Sequence, residues 1–384
     1  MTNAVSAGGA ARPARVNDKT CRIDRLPHGG SLYYVCEQGI GITRERSPDG
    51  FVYRRPNGHR VRDNATLDRI RRLAVPPAWN DVWICTDANG HLQATGRDSK
   101  GRKQYKYHQE WRQLRDAGKF ERMAAFGEAL PAIRTRAERD LSRDELTKAK
   151  VLGLVVLLLD KTLLRVGNEE YAQEHGAYGL TTLRDRHAVI NGPELRLVFR
   201  GKGGKPQTAN VHNRRLASAV KRTQELAGDI LFQYLDPDGN PEPITSDDVN
   251  DYLRDITGGE FSAKDFRTWG GTLVAARVLA AEARESAAEA RESAVPAPGP
   301  RSKHEQATRV NKAIDAAAAH LGNTRAVAKR AYVHPGIVAS FIDGSLSEAW
   351  TRGLERAESA RGDDRCLTLD ERALLSTLED IDAP

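Results

Sequence analysis

Between residues 18 and 112, short segments such as "SLYYVC", "GFVYRR" and "DVWICT" alternate with dense turn signals: "LPHGG", "SPDG", "RPNGH", "TDANGH" and "DSKGR". Aromatic and β-branched runs bounded by Gly, Pro, Asn and Asp predict short strands joined by tight turns, with one short helix at "NATLDRIRRLAV". From about Gln109 the apolar spacing changes to the helical period, in "HQEWRQLRDAGKFERMAAFGEALPAIRTRAERDL" and the Leu-rich run after it. One hairpin interrupts these helices. Leu195, Leu197 and Phe199 alternate on one face of "ELRLVFRGKGGKPQTANVH", and Gly201, Gly203 and Gly204 supply its turn. The pattern predicts an α+β chain, with a β-rich amino-terminal domain followed by a mostly helical one.

Residues 1–17, rich in Ala, Gly, Arg and Pro, read as a disordered tail. The β-rich domain is expected over 18–112 and the helical domain over 113–384. Inside the latter, "AEARESA" stands twice in tandem from Ala281 to Ala294, followed by "VPAPGPRSK". Ala, Glu and Arg favour a helix and the prolines end it, so 281–303 predicts a helix running into a linker. "VNKAIDAAAAHL" is apolar at Val310, Ile314, Ala317 and Leu321, and "LTLDERALLSTLEDI" closes a helical extension over 345–384.

Composition narrows the class. The 384 residues are 39% hydrophobic and 29% charged, enough for a sizeable core, with a formal net charge of +7. The charge favours a polyanionic partner, discounted somewhat because Ala- and Arg-rich usage accompanies GC-rich genomes. Cys21, Cys36, Cys85 and Cys366 form no C-x-x-C pair, and the histidines show no ligand spacing, so neither a zinc site nor a disulfide framework is expected. "MTNAVSAGGAARPAR" has no apolar core of a signal peptide. The longest apolar run, Val151 to Leu159, is too short to span a bilayer. These features lead to the expectation of a soluble, reduced, cytoplasmic protein.

Four basic positions of the second domain are framed by small or turn-forming residues: Arg165, Lys202, Arg267, and the pair Lys329 and Arg330 ahead of Tyr332. Each has an ordinary explanation. Arg165 can pair with Glu169 one helical turn on, Lys202 can be a solubilising turn residue, and Arg267 can belong to a structural ion pair. Asn323, after Gly322, can cap the helix carrying Tyr332.

Taken in order, however, "LLRVGN", "FRGKGGK", "KDFRTWGGT" and "LGNTRAVAKRAY" resemble the catalytic domain of type IB DNA topoisomerases, in the small form of poxviruses and bacteria. "GLTTLRDRHAVI" matches the same family. "GRDSKGRKQYKYHQEW", residues 96–111, is similar to its stretch joining the β domain to the catalytic domain. The resemblance covers about residues 20–345. It implies the fold shared by tyrosine recombinases and type IB topoisomerases, with Tyr332 as nucleophile, Arg165, Lys202 and Arg267 as catalytic partners, and the hairpin carrying the lysine. Relatives carry His where this chain has Asn323. An Asn keeps a donor for a phosphate oxygen but supplies no positive charge and no acid or base.

The resemblance also implies the partner, duplex DNA held mainly through its phosphate backbone by a monomeric clamp. Arg102, Lys103 and Lys106 interleave with Tyr105 and Tyr107 in a way that suits backbone contacts, and Lys264, Lys329 and Arg330 would add to them. The plain alternative for 102–107 is a β edge protected by charge. The implied reaction is relaxation of supercoiled DNA by transient single-strand cleavage through a 3′-phosphotyrosyl intermediate, then religation, without ATP, metal or cofactor. A nucleoid-associated location goes with it.

The chemistry suits these residue types. Attack of a phenol on a phosphodiester gives a more anionic transition state, which two planar guanidinium forks match, and an alkoxide that needs a proton, which a lysine on a Gly-rich turn can give. No G-x-x-x-x-G-K-[ST] loop points elsewhere. A tyrosine recombinase shares the Tyr and the Arg-Lys-Arg set, but typically has His-x-x-Arg where this chain has Lys264-Asp265-Phe266-Arg267. A catalytically silent architectural DNA-binding protein on the same fold is the reading from another class. Nine residues of straight helix advance about 13 Å, too far for Asn323 and Tyr332 to meet one phosphate. Either the chain bends between them or Tyr332 swings in when DNA binds; the second is expected here, with Tyr332 partly displaced in the free protein.

Overall fold

Between β3 (Gly41–Ser47) and β4 (Gly50–Arg54), between β5 (Asn80–Cys85) and β6 (Leu92–Arg97), and between β6 and β7 (Lys103–Tyr107) stand three of the turn signals, and each joins an antiparallel pair. The computed structural model describes residues 22–25, 32–35, 40–48, 50–99, 101, 103–111, 118, 120–259, 261–292, 302–359 and 366–382. They divide into two compact units, Met1–Lys119 and Phe120–Pro384.

In the first unit, β1 (Arg22–Arg25) pairs with β2 (Tyr33–Val35), and the five later strands form one antiparallel sheet of order β4-β3-β5-β6-β7. Helix α1 (Asn64–Leu73) starts where Asp63 accepts the Thr66 N–H at 2.9 Å. Its Ile70 joins Ile42, Val61, Val82, Ile84 and Ala94 in a small apolar core. The "RPNGH" signal closes a loop in which Arg55 N–H donates to the His59 carbonyl at 2.8 Å.

The second unit is built on α2 (Met123–Leu141) and α3 (Lys148–Thr162). Thr147 caps α3, and every side chain from Lys150 to Leu159 is buried, so the apolar run is the central core helix. No described helix is long and apolar enough to cross a membrane. After the short α4 (Glu169–His175), β8 (Ala188–Asn191), β9 (Glu194–Arg200) and β10 (Pro206–His212) form a three-stranded antiparallel sheet of order β10-β9-β8. Leu195, Leu197 and Phe199 are its buried face, as their alternation requires.

The single expected hairpin is thus incomplete. β8 adds a third strand across Gly192, and a second hairpin joins β11 (Gln233–Leu235) to β12 (Pro241–Pro243), after α5 (Arg214–Gln224). "DPDGN" folds that hairpin, with the Asp236 carboxylate accepting the N–H groups of Asp238 and Asn240.

The rest is helical: α6 (Ser246–Thr257), α7 (Ala263–Glu292), α8 (Lys303–Leu321), α9 (Arg325–Ala331), α10 (Pro335–Asp343), α11 (Leu346–Ser359) and α12 (Leu369–Asp382). The first "AEARESA" copy and most of the second continue α7, and the Pro-rich stretch lies outside the described residues. Ser302 and Glu305 cap α8 reciprocally. The carboxyl-terminal pair α11 and α12 meets so closely that a methyl at Gly353 would lie 2.9 Å from Ala373 backbone atoms. Arg134 of α2 fastens α12 to the core: it bonds Asp160 of α3 at 2.9 Å through two nitrogens, Glu371 of α12 at 2.7 and 3.0 Å, and the Cys366 carbonyl at 2.5 Å. An antiparallel sheet followed by a mostly helical domain is the α+β arrangement that the sequence pattern predicts.

Candidate active site

Arg165 stands just past the end of α3, and its backbone is clamped by the segment "GLTT". Leu180 N–H donates to the Arg165 carbonyl at 2.8 Å and Thr181 N–H to the Val166 carbonyl at 2.6 Å. The approach requires two glycines face to face, since a methyl at Gly179 would lie 2.5 Å from Gly167 Cα. "LLRVGN" and "GLTTLRDRH" are therefore two halves of one device. The side chain does not pair with Glu169, which is held by Arg184 at 2.7 Å. It donates from Nη2 to Asn323 Oδ1.

Arg267, in the second turn of α7, is 3% exposed. It makes no ion pair among the described residues. Its Nη1 donates to the Leu163 carbonyl and its Nη2 to the Leu321 carbonyl at 3.0 Å. Those carbonyls end α3 and α8, where the helix dipoles are negative, so the cation is held by two helix carboxyl termini. Leu163 has left-handed φ of 51°. For a leucine that costs about 1–2 kcal/mol, and it aims the carbonyl at Arg267. Its side chain fills the space over Gly270, where a methyl would lie 2.2 Å from Leu163 Cδ1. Burial pulls the Arg267 pKa down, with neighbouring Arg165 adding to the effect and Tyr332 opposing it.

Tyr332 follows the last residue of α9 and is 8% exposed. Arg267 Cζ lies 5.0 Å from its ring centroid. Its backbone is fixed to α7 one turn beyond Arg267. Thr272 Oγ1 donates to the Tyr332 carbonyl at 2.9 Å and accepts the His334 N–H at 3.0 Å. A methyl at Gly271 would lie 3.1 Å from Tyr332 Cβ. Burial alone would raise the phenol pKa, yet it is lowered overall, by the charge and hydrogen bonding of Arg267 first and by the charges of Arg165 and Lys264 after it. The expected displacement of Tyr332 is thus wrong for this structure, and the helical estimate fails because α9 spans only Arg325 to Ala331. The chain bends at both ends, at Gly322 with φ 61° and at Tyr332 itself with φ −138°.

Asn323 is not the cap of α9 either. Thr324 is, accepting the Val327 N–H. Asn323 N–H instead closes α8 on the Ala318 carbonyl at 2.8 Å, which frees the side chain to face Arg165. Its Oδ1 accepts from Arg165, and its Nδ2 is a buried donor without a partner. Arg267 Nε is another. Two orphaned donors, one of them within the Arg267 guanidinium, together with Arg165 and a buried phenol fit an anion with several oxygens.

Lys202 stands apart. It is exposed at the hairpin tip, where Gly203 and Gly204 have φ of 75° and 74°. Among the described residues it makes no hydrogen bond or ion pair with the other four. Two contacts tie its hairpin to the cluster. Tyr178 N–H donates to the Arg200 carbonyl at 2.8 Å, and the Gln207 side chain lies against Gly322. Leu163, Gly271, Thr272 and Gln207 escape the sequence reading. The "GGT" after Arg267 carries a signal for two of them, since paired glycines inside a helix mark a close approach.

The other candidates are surface groups. Lys264 is exposed on α7, and Lys329 and Arg330 are exposed on α9. Lys103, Tyr105, Lys106 and Tyr107 lie on β7, the edge strand of the first unit's sheet. The rings of Tyr105 and Tyr107 stack at 6.0 Å with 13° between planes, and Tyr105 is 42% exposed. Arg102 lies outside the described residues. No cluster of metal-ligating side chains occurs among the described residues.

A family model for the catalytic core of eukaryotic DNA topoisomerase I matches residues 108–344, which include all five candidates. A second, for the amino-terminal domain of bacterial DNA topoisomerase IB, matches residues 50–98. The chain is 33% identical over 297 residues to DNA topoisomerase 1B of Acanthamoeba polyphaga mimivirus, covering 76% of this chain and 85% of that one. It is 25% identical over 169 residues to DNA topoisomerase 1B of vaccinia virus (strain Western Reserve), covering 42% and 54%. To DNA topoisomerase 1 of Schizosaccharomyces pombe it is 27% identical over 212 residues, covering 52% and 23%.

Proposed function

The chain belongs to the type IB DNA topoisomerases, and on that premise we propose that Tyr332 is its nucleophile and Arg165, Arg267, Asn323 and Lys202 its catalytic partners. It is a DNA topoisomerase, an isomerase acting on DNA. The cluster supports a division of labour. Tyr332 Oη attacks the phosphorus and loses its proton to water, and the P–O5′ bond breaks. Arg165 and Arg267 hold the non-bridging oxygens, with Asn323 Nδ2 adding one neutral donor. The Lys202 ammonium passes a proton to the leaving O5′. The 3′-phosphotyrosyl ester keeps the bond energy, so religation needs no ATP. The orphaned Asn323 Nδ2, set between Arg165 and the bend leading to Tyr332, is the observation that carries this reading.

We further propose that the chain works as a monomeric clamp on duplex DNA, associated with the nucleoid, with Lys103, Tyr105, Lys106 and Tyr107 and then Lys264, Lys329 and Arg330 on the backbone. The test is relaxation of supercoiled plasmid with EDTA present and ATP absent, comparing wild type with Tyr332→Phe. The expected result is relaxation by the wild type alone, with a denaturant-trapped adduct on the 3′ end of the nick. Binding by both proteins and relaxation by neither would overturn it in favour of an architectural role.

A further inference from the structure

The hairpin bearing Lys202 meets the Arg165–Asn323 group through one side chain. Gln207, on β10 and opposite Phe199 in register, turns its amide toward the loop before Asn323. A methyl at Gly322 would lie 2.6 Å from Gln207 Oε1 and 3.0 Å from its Nε2, and a methyl at Gly201 would lie 2.7 Å from its Cγ. The side chain thus fills the space over two glycines, one at the root of the Lys202 turn and one at the left-handed bend that points Asn323 at Arg165. Its Nε2 also donates to its neighbour's Pro206 carbonyl at 3.1 Å, which limits how far the amide can swing. Gly203 and Gly204 give the turn freedom at its outer side. At its inner side, Gln207 is what the turn leans on.

We propose that Gln207 is a positioning residue that sets the Lys202 turn against the Asn323 bend, so that the lysine reaches the leaving oxygen. The inference rests on the reading of Lys202 as proton donor. In that step the Tyr332 Oη–P bond forms as P–O5′ breaks, the phenolic proton goes to water, and the ammonium proton goes to O5′. A residue acting through Lys202 matters only as far as the leaving group needs that proton.

Sulfur tests this. A 5′-thiolate, whose conjugate acid has a pKa of about 8.5, departs without protonation. Single-turnover cleavage is measured on a duplex whose cleavage site has been mapped by the trapped adduct, made once with the natural ester and once with 5′-sulfur at the scissile bond. Full-length wild type, Gln207→Ala and Lys202→Ala are compared. The expected result is that Gln207→Ala cuts the oxygen ester about tenfold more slowly and Lys202→Ala about 10²-fold or more, while both cut the sulfur ester like wild type. Equal slowing of Gln207→Ala on both substrates overturns the proposal, because the residue would then act on Tyr332 or Asn323. No slowing on either also overturns it. If sulfur fails to rescue Lys202→Ala, the reading of Lys202 falls and this inference falls with it; rescue of Lys202→Ala but not Gln207→Ala removes this inference alone.

Discussion

Thr272 holds Tyr332 by the main chain. Its hydroxyl donates to the tyrosine carbonyl at 2.9 Å and accepts the N–H two residues later at 3.0 Å, and its own side chain is fully buried. Because Arg267 lies on the same helix five residues earlier, one rigid element sets both the proposed nucleophile and the guanidinium beside its ring.

Thr272→Val keeps the shape and removes both bonds. Both backbone groups then lose the bond to Thr272, a cost of about 1–3 kcal/mol each where no other partner takes over. A small shift of the phenol is expected to slow cleavage by about 10²-fold, with DNA affinity unchanged. Single-turnover cleavage alongside a binding titration checks this, and wild-type cleavage would show that the hydroxyl has no part in aiming Tyr332. Gly271→Ala is expected to act the same way, since its methyl would press on Tyr332 Cβ.

The lowered pKa of Tyr332 makes a pH prediction. Cations that favour the phenolate should bring the rising limb of the cleavage–pH profile below the value near 10 of an ordinary tyrosine. Removing Lys264 takes away one such cation, so Lys264→Gln should move the limb to higher pH. Since the folded pKa is depressed, the phenolate contributes stability only at alkaline pH, and that contribution is lost as pH falls through the folded value. At neutral pH the effect lies in reactivity. An unmoved limb in Lys264→Gln would count against the electrostatic account.

Asn323→Ala removes the buried donor and the acceptor of Arg165 together. The expected loss in cleavage rate is about 10²–10³-fold. Asn323→His restores a donor that can also carry charge, and should cleave at least as fast as wild type below the pKa of the imidazole and more slowly relative to it above. A flat ratio of the two rates across pH would rule out a charged role for the new imidazole.

The Arg134 cluster predicts acid sensitivity in the docking of α12. Burial pushes the Glu371 pKa up, but the hydrogen bonds and charge of Arg134, aided by Thr368, bring it below the usual carboxylate range. That contribution is present above about pH 4.3, the unfolded value, and is lost as pH falls through the folded one. Glu371→Gln should lower stability by about 1.5–3 kcal/mol at neutral pH and flatten the acid limb. Tm measured against pH for both proteins reads it. Parallel curves would mean that other carboxylates set the acid limb.

What the sequence showed depended on how local the cause was. Turn residues and alternation act within a few positions, so the strand pairs around "SPDG", "TDANGH" and "DSKGR" were legible, as was the buried face of Leu195, Leu197 and Phe199. β8 and the β11–β12 hairpin were missed because strands of three or four residues carry too few alternations. At the site, the candidate residues came from the ordered blocks that resemble type IB topoisomerases, since each framed cation alone has an ordinary explanation. The hydrogen bonds of Arg165 and Arg267 were not, because they run to residues more than fifty positions away and, for Arg267, to carbonyls that any residue possesses. The misplaced Tyr332 had a related origin: of a bend and a swing, the swing was chosen, because nothing local in the sequence showed that Gly322 and the end of α9 bend the chain.

The tether of Arg267 to the carbonyls of Leu163 and Leu321 has a consequence for how this protein can vary. A carboxylate partner could be deleted by one substitution and would quench the charge it held. Main-chain oxygens do neither: they survive side-chain replacement at positions 163 and 321, and they leave the guanidinium without a counter-ion for the phosphate proposed to bind there. The mutations able to loosen this arginine are those that redirect the backbone, such as a β-branched residue forced into the left-handed bend at 163 or any side chain at Gly322.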